Sequence, residues 1–157
     1  MSTAQTTKQP ASSPVARFGS AHLSAIVRDL ESARVILRMV LLALYAEDNG
    51  SISHGDGIGV FRWSAAIGAV LSRLCSVRDS LMETSDAPPI DWPTPFALAS
   101  ALDSALWDGS CTTASTLTPI ETQTALHVII DSLDELLGDC VAVSTALGGP
   151  NAPGVLQ

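Results

Sequence analysis

The sequence is poor in aromatic residues, in charge and in cysteine. Aromatic residues make up 4% of its 157 residues, so a core must be built from leucine, valine, isoleucine and alanine. The three cysteines are odd in number and widely spaced, which argues against a disulfide framework. No apolar run reaches the ~18 residues that a membrane-spanning helix needs. The hydrophobic fraction of 46% nevertheless excludes a wholly disordered chain, and the length is that of one domain.

Basic residues are absent from the second half of the chain. All eight lie at or before Arg78, whereas eleven of the sixteen acidic residues follow it, and the formal net charge is −8. An acidic surface repels phosphate groups, so the composition disfavours binding to nucleic acid or to an anionic membrane. It favours instead a protein partner of basic character, and it leaves self-association into a homo-oligomer open.

The two ends of the chain have compositions typical of tails. Residues 1–19 are rich in Ser, Thr, Gln and Pro, with Lys8 and Arg17 as the only charges, and such a segment cannot bury enough apolar surface to offset its ordering entropy. We predict a disordered N-terminal tail over 1–19 and a flexible C-terminal tail over 148–157. Residues 1–19 lack the apolar segment of a secretory signal, although their acid-free, hydroxyl-rich composition is shared with organelle transit peptides. We therefore predict a cytoplasmic protein.

Apolar residues recur at spacings of three and four in three long segments, which predicts helices. The first segment begins at Ser20, a candidate cap, and ends near Asp48, and the second spans about residues 58–82. The stripes are Leu23, Ile26, Leu30, Ala33, Leu37, Val40 and Leu44; Val60, Trp63, Ile67, Val70, Leu74, Val77 and Leu81; and Leu126, Ile129, Leu133, Leu136, Cys140, Val143 and Leu147. We expect Leu30, Leu37, Ile67, Leu74, Ile129 and Leu136, which lie in the middle of these stripes, to be buried.

Turn and cap signals divide the remainder of the chain. Thr94-Pro95 predicts the start of a short third helix that ends near Trp107. The sequence Thr118-Pro119-Ile120-Glu121 is typical of a capping box before the last helix. Because the apolar period is close to 3.5 residues and no strand pattern is present, we predict an all-α domain over 20–147. The architecture is an antiparallel bundle of about four helices, built as two αα-hairpins with a short third helix.

Four acidic residues fall between the apolar positions of the last helix, and we call them the acidic stripe: Asp131, Asp134, Glu135 and Asp139. Three of them stand at i, i+4 and i+8, where like charges repel by about 0.2–0.5 kcal/mol per pair. Such a stripe is either solvated, paired with a cation of the same chain, or used for docking a basic partner. The candidate cations of the chain are Arg28, Arg34, Arg38, Arg73 and Arg78. We predict a non-enzymatic helical interaction module of the adaptor, regulator or effector type, in which the stripe is an acidic docking face.

Residues 35–46 of the first helix support the same prediction, because they are apolar on all sides except at Arg38. A helix that is apolar all round is either central in its bundle or covered by a partner.

An alternative function rests on the pair His127 and Asp131, which lie four residues apart on the last helix. A pocket near this pair would make the protein a small-molecule binder or an enzyme. A metal site needs at least a third ligand, and the sequence contains no second His or Glu pair with a matching spacing. We therefore predict no metal, no cofactor and no catalytic residue.

A second alternative concerns the loop at residues 47–56. Glu47, Asn49, Gly50 and Asp56 stand at the third, fifth, sixth and twelfth positions of a twelve-residue loop, which resembles the calcium loop of EF-hand proteins. The resemblance implies a degenerate calcium site, with Tyr45 where the family has its first Asp and with Asp56 replacing the bidentate Glu. The other interpretation is a glycine-rich loop that joins two antiparallel helices.

Overall fold

The protein is an all-α four-helix bundle. The structure, a computed structural model, describes residues 17–48, 58–110 and 117–147, and within these ranges it contains four helices and no strand. The helices are α1 (Ser20–Asp48), α2 (Ile58–Met82), α3 (Pro93–Ser110) and α4 (Pro119–Ala146). Each helix packs against two others, α1 against α2 and α4, and α3 against α2 and α4. The predicted fold class is confirmed, including the short third helix of 18 residues.

The core is aliphatic, as the low aromatic content requires. All six residues predicted to be buried are at most 3% exposed, because they lie in the middle of stripes that face the bundle axis. The largest fully buried side chains include Ile26, Leu30, Leu37, Ile67, Leu74, Leu126, Ile129 and Leu133. Trp63 and Trp92 are only partly buried and pack against this core from its periphery.

The start of α1 differs from the prediction by one residue. The carbonyl oxygen of Gly19 accepts the first helical hydrogen bond, from the Leu23 amide at 3.1 Å, so Gly19 is the N-cap and Ser20 is the first helical residue. The Gly19 amide donates to His22 Nδ1 at 3.3 Å, which is half of a capping box.

Phe18, which the prediction placed in the tail, packs against the core and is 8% exposed. Its amide donates to Asp86 Oδ1 at 2.8 Å, so the segment before α1 is held against the connector between α2 and α3. Burial of the Phe18 ring offsets the cost of ordering the polar residues 17–19. The average composition of residues 1–19, on which the tail prediction rests, does not show the effect of one aromatic side chain. Residues 1–16 and 148–157 lie outside the described residues.

The start of α3 is two residues earlier than predicted. The Trp92 carbonyl accepts from the Phe96 amide at 3.4 Å, so Pro93 is the first helical residue and Thr94 is not the cap. Both Pro93 and Pro95 lie in the first turn, where backbone amides have no intrahelical partner and proline is tolerated. The helix also continues three residues beyond the predicted end, to Ser110.

The capping box of α4 is confirmed. The Thr118 hydroxyl accepts from the Glu121 amide at 3.3 Å, and the Thr118 amide donates to Glu121 Oε2 at 2.8 Å. The hydrogen bond from the Thr118 amide lowers the pKa of the Glu121 carboxyl, because it stabilises the charged form. None of the four helices, over the part of the chain that is described, is long and apolar enough to cross a membrane.

Candidate functional site

The acidic stripe lies on two different sides of α4. Asp131, Glu135 and Asp139 are exposed on its outer side. Asp134 lies on the side that faces α1, and its side chain is only 39% exposed. The four residues therefore do not form one continuous solvated surface, because Asp134 faces α1 and the other three face solvent.

Asp134 pairs with two arginines of α1. Arg34 Nη1 donates to Asp134 Oδ1 at 2.8 Å, and Arg38 Nη2 donates to Asp134 Oδ2 at 3.3 Å. The Arg34 side chain is 27% exposed, so the shorter of the two contacts is partly shielded from water, where a charge-assisted hydrogen bond is strengthened. These contacts assign Asp134 to the α1–α4 packing of the fold.

The other three acidic residues of the stripe, which we call the outer acids, are Asp131, Glu135 and Asp139. Among the described residues, no ion pair reaches any of them. Of the interpretations of the acidic stripe, pairing with a cation of the same chain therefore holds for Asp134 and not for the outer acids. Their role in docking stays a prediction.

Arg73 and Arg78, which the sequence offered as partners for the acidic stripe, are engaged elsewhere. Arg78 pairs with its neighbour Asp79 at 2.8 Å, and this hydrogen bond raises the pKa of the Arg78 guanidinium. Arg73 reaches across to α1 and donates to Asp29 Oδ1 at 3.2 Å. Both arginines belong to α2, which is not in contact with α4.

Asp29 is a buried acid that the sequence analysis missed. Its side chain is 4% exposed, and in addition to Arg73 it accepts a hydrogen bond from the Ser76 hydroxyl at 2.8 Å. The sequence spacing does indicate this burial, because Asp29 lies three residues after Ile26 and four before Ala33, on the edge of the apolar stripe of α1. A similar polar contact joins α2 to α3, where the Ser64 hydroxyl donates to Asp103 Oδ1 at 2.8 Å.

His127 and Asp131, the basis of the small-molecule alternative, are both exposed. The His127 Nε2 atom and the Tyr45 hydroxyl of α1 are hydrogen-bonded at 3.1 Å, with ring centroids 6.5 Å apart. The described residues contain no group of three or more His, Cys, Asp or Glu side chains that could hold a metal ion. The Tyr45 and Asp134 contacts show that α1 and α4 run antiparallel, since the later residue of α1 meets the earlier residue of α4.

The apolar segment 35–46 faces both the core and the solvent. Leu37, Val40, Leu41 and Leu44 are buried. Val35, Met39 and Leu42, which we call the outer face of α1, are 52%, 65% and 67% exposed. A row of large apolar side chains exposed in the middle of a helix is unusual for a surface that contacts only water.

The remaining candidates are the cysteines and the loop. Cys140 is fully buried in α4, and burial raises the pKa of its thiol to about 11, which makes it unreactive at neutral pH. Cys75 is partly buried, and both are free thiols. The calcium-loop prediction over 47–56 falls on residues 49–56, outside the described residues, and on Glu47 and Asp48, which are the last residues of α1.

Comparison of the chain with protein-family models, with curated proteins and with solved structures gives no match.

Proposed function

We propose that the protein is a non-enzymatic helical interaction module that docks a basic partner on the outer acids of α4. The observation that carries the proposal is the contrast within the acidic stripe. Asp134 has two arginines within hydrogen-bonding distance, whereas Asp131, Glu135 and Asp139 have no cation among the described residues. The free thiols Cys75 and Cys140 are consistent with the cytoplasmic location that forms part of this proposal.

The outer acids suit a cationic partner in both spacing and energy. They recur once per turn, at intervals of about 6 Å along α4, and their mutual repulsion is relieved when lysine or arginine side chains are placed between them. Because the contacts are exposed, each ion pair contributes about 0.2–1 kcal/mol, and salt weakens it. Association is therefore expected to be fast and strongly salt-dependent.

The test compares two double variants that change the net charge equally. Asp131→Asn with Glu135→Gln neutralises two of the three outer acids, whereas Asp79→Asn with Glu83→Gln neutralises two exposed acids in and just after the last turn of α2. Full-length wild-type protein and both variants are immobilised, and proteins retained from a cell extract at low salt are identified and then titrated singly. We expect the first variant to bind the retained partner roughly 2- to 30-fold more weakly, as the loss of two exposed pairs implies.

The control variant should bind as the wild type does. Equal weakening by both variants would assign the binding to net charge alone. Retention that is unaffected by the first variant, or that persists at high salt, would contradict the docking role of the outer acids.

A further inference from the structure

We propose that two copies of this chain pair in antiparallel orientation along the outer face of α1 and form a weak two-fold dimer. The proposal concerns a different helix from the outer acids of α4, and it does not depend on a basic partner.

The outer face of α1 has the periodicity of a helix-packing surface. With Ser32 before it and Ala46 after it, the series Ser32, Val35, Met39, Leu42 and Ala46 advances by three and four residues in alternation. That 3.5-residue period is what allows two helices to stay in contact over several turns. The buried stripe of α1 shows the same alternation on the opposite side of the helix. α1 thus carries two packing surfaces, and the bundle uses one of them.

The charges beside this face indicate that the partner that covers it is a second copy of the chain. Glu31 and Arg38 lie on the same edge of the face, seven residues and about 10.5 Å apart. Across a two-fold axis near Val35 that is perpendicular to the helices, each Glu31 lies opposite the Arg38 of the other copy. In the same register Val35 lies beside its counterpart, and Met39 and Leu42 pack against the Ser32 and Arg28 turns of the other copy. A two-fold interface must be self-complementary in this way. A parallel pairing would place both charges against the opposite edge, which carries the uncharged residues Ile36 and Ala43.

Both side chains are able to make this contact. Glu31 is 56% exposed, and its distance of 3.9 Å to Arg34 exceeds a hydrogen bond. Arg38 is 54% exposed and uses Nη2 for Asp134, which leaves other guanidinium N–H groups free for a second carboxylate. Asp134 keeps Arg34 as its closer partner in either case.

The face also avoids the outer acids, which carry much of the negative charge of α4. The chain has a net charge of −8, yet residues 32–46 contain no acidic residue. Two copies that approach through α1 therefore avoid the outer acids of α4. One helix face is smaller than the ~800 Å² per partner of a standard interface, so the dimer is expected to be weak.

The first test is sedimentation equilibrium of the full chain at concentrations up to roughly 1 mM, where even a millimolar complex is about half populated. The weight-average mass of the wild type should rise towards twice that of the monomer. Val35→Glu, which brings two carboxylates together at the two-fold axis, should weaken the dimer at least about tenfold. Val141→Glu, at an apolar position of α4 that is 66% exposed, should leave it unchanged. Circular dichroism verifies that both variants are folded.

The second test exchanges the charges at the edge. Glu31→Arg places arginine opposite Arg38 of the other copy and should weaken the dimer roughly 2- to 30-fold, because the two-fold axis generates the contact twice. Adding Arg38→Glu restores the opposite charges and should recover the wild-type association. A monomer at every concentration, an equal response to Val35→Glu and Val141→Glu, or a failure of the charge exchange to restore the dimer would each overturn the proposal.

Discussion

Arg73→Met is expected to destabilise the bundle although Arg73 is half exposed, because it leaves the Asp29 carboxylate buried beside α2 without its cation. The methionine preserves most of the aliphatic side chain, so the variant isolates the loss of the guanidinium. Asp29 is then held by the Ser76 hydroxyl alone, at 2.8 Å.

The expected loss of stability follows from how deeply the Asp29 and Arg73 side chains are buried. Removal of one partner from a fully buried ion pair costs about 3–5 kcal/mol, whereas an exposed pair is worth about 0–1 kcal/mol. Here the Asp29 side chain is 4% exposed and the Arg73 side chain is 52% exposed, so solvent screens one partner only. We therefore expect a loss of about 1–3 kcal/mol. For a domain of this size, that corresponds to a decrease in Tm of roughly 3–9 °C.

Urea denaturation at neutral pH, followed by circular dichroism, measures the free energy of unfolding. Two further variants complete a double-mutant cycle. They are Asp29→Asn, which keeps an acceptor for Ser76 and removes the charge, and the double variant. We expect the two substitutions to be non-additive by about 0.5–3 kcal/mol, with the double variant less destabilised than the sum of the single ones. If Arg73→Met costs less than about 0.5 kcal/mol, or if the effects simply add, the Asp29 carboxylate is solvated in the folded protein and the reasoning fails.

Three further predictions concern the core, a cap and a thiol. Leu37→Ala should cost about 2–5 kcal/mol in the same denaturation assay, whereas Leu42→Ala on the outer face should change the stability of the monomer by less than about 0.5 kcal/mol; similar losses at both positions would contradict the assigned faces. Thr118→Ala should cost about 0.5–2 kcal/mol through loss of the capping box of α4, and an unchanged Tm would show that the cap is dispensable. Because burial raises the pKa of Cys140 from 9.0 to about 11, the folded state keeps a proton that the unfolded state releases, so its contribution to stability is present below pH 9 and is lost as the pH rises to 11. Relative to Cys140→Ala, the wild type should lose up to about 2–3 kcal/mol over that interval, and parallel pH profiles would refute this.

The sequence was sufficient to predict the helices, because their cause is local. The apolar stripes of α1, α2 and α4 and the Thr118 capping box depend on residues within one helix. The error at α3 has an equally local origin, since the start of the helix was placed at Thr94-Pro95 and Pro93 was left outside it, although a first helical turn tolerates proline.

The polar contacts between helices could not be predicted in the same way. Whether Asp29 meets Arg73, or Asp134 meets Arg34, depends on how far one helix is displaced along another, and the apolar stripes do not determine that displacement. Charge counting treated all four residues of the acidic stripe as equivalent. The rotation of about 100° between successive residues places Asp134 towards α1 and Glu135 towards solvent.

These contacts have a consequence for the uniqueness of the fold. A core of leucine, isoleucine, valine and alanine packs almost as well when one helix slides by a turn of about 5.4 Å, because each side chain then replaces another of similar volume. Such a slide would separate Asp29 from Ser76, Asp134 from Arg34 and Asp103 from Ser64, and would leave buried or half-buried carboxylates without donors. Three polar contacts at three different helix interfaces therefore select one alignment from several that the aliphatic core would accept. A chain in which all three carboxylates were replaced by apolar residues should keep its helix content and its compactness while sampling several alignments, with the broadened NMR spectrum that such exchange produces.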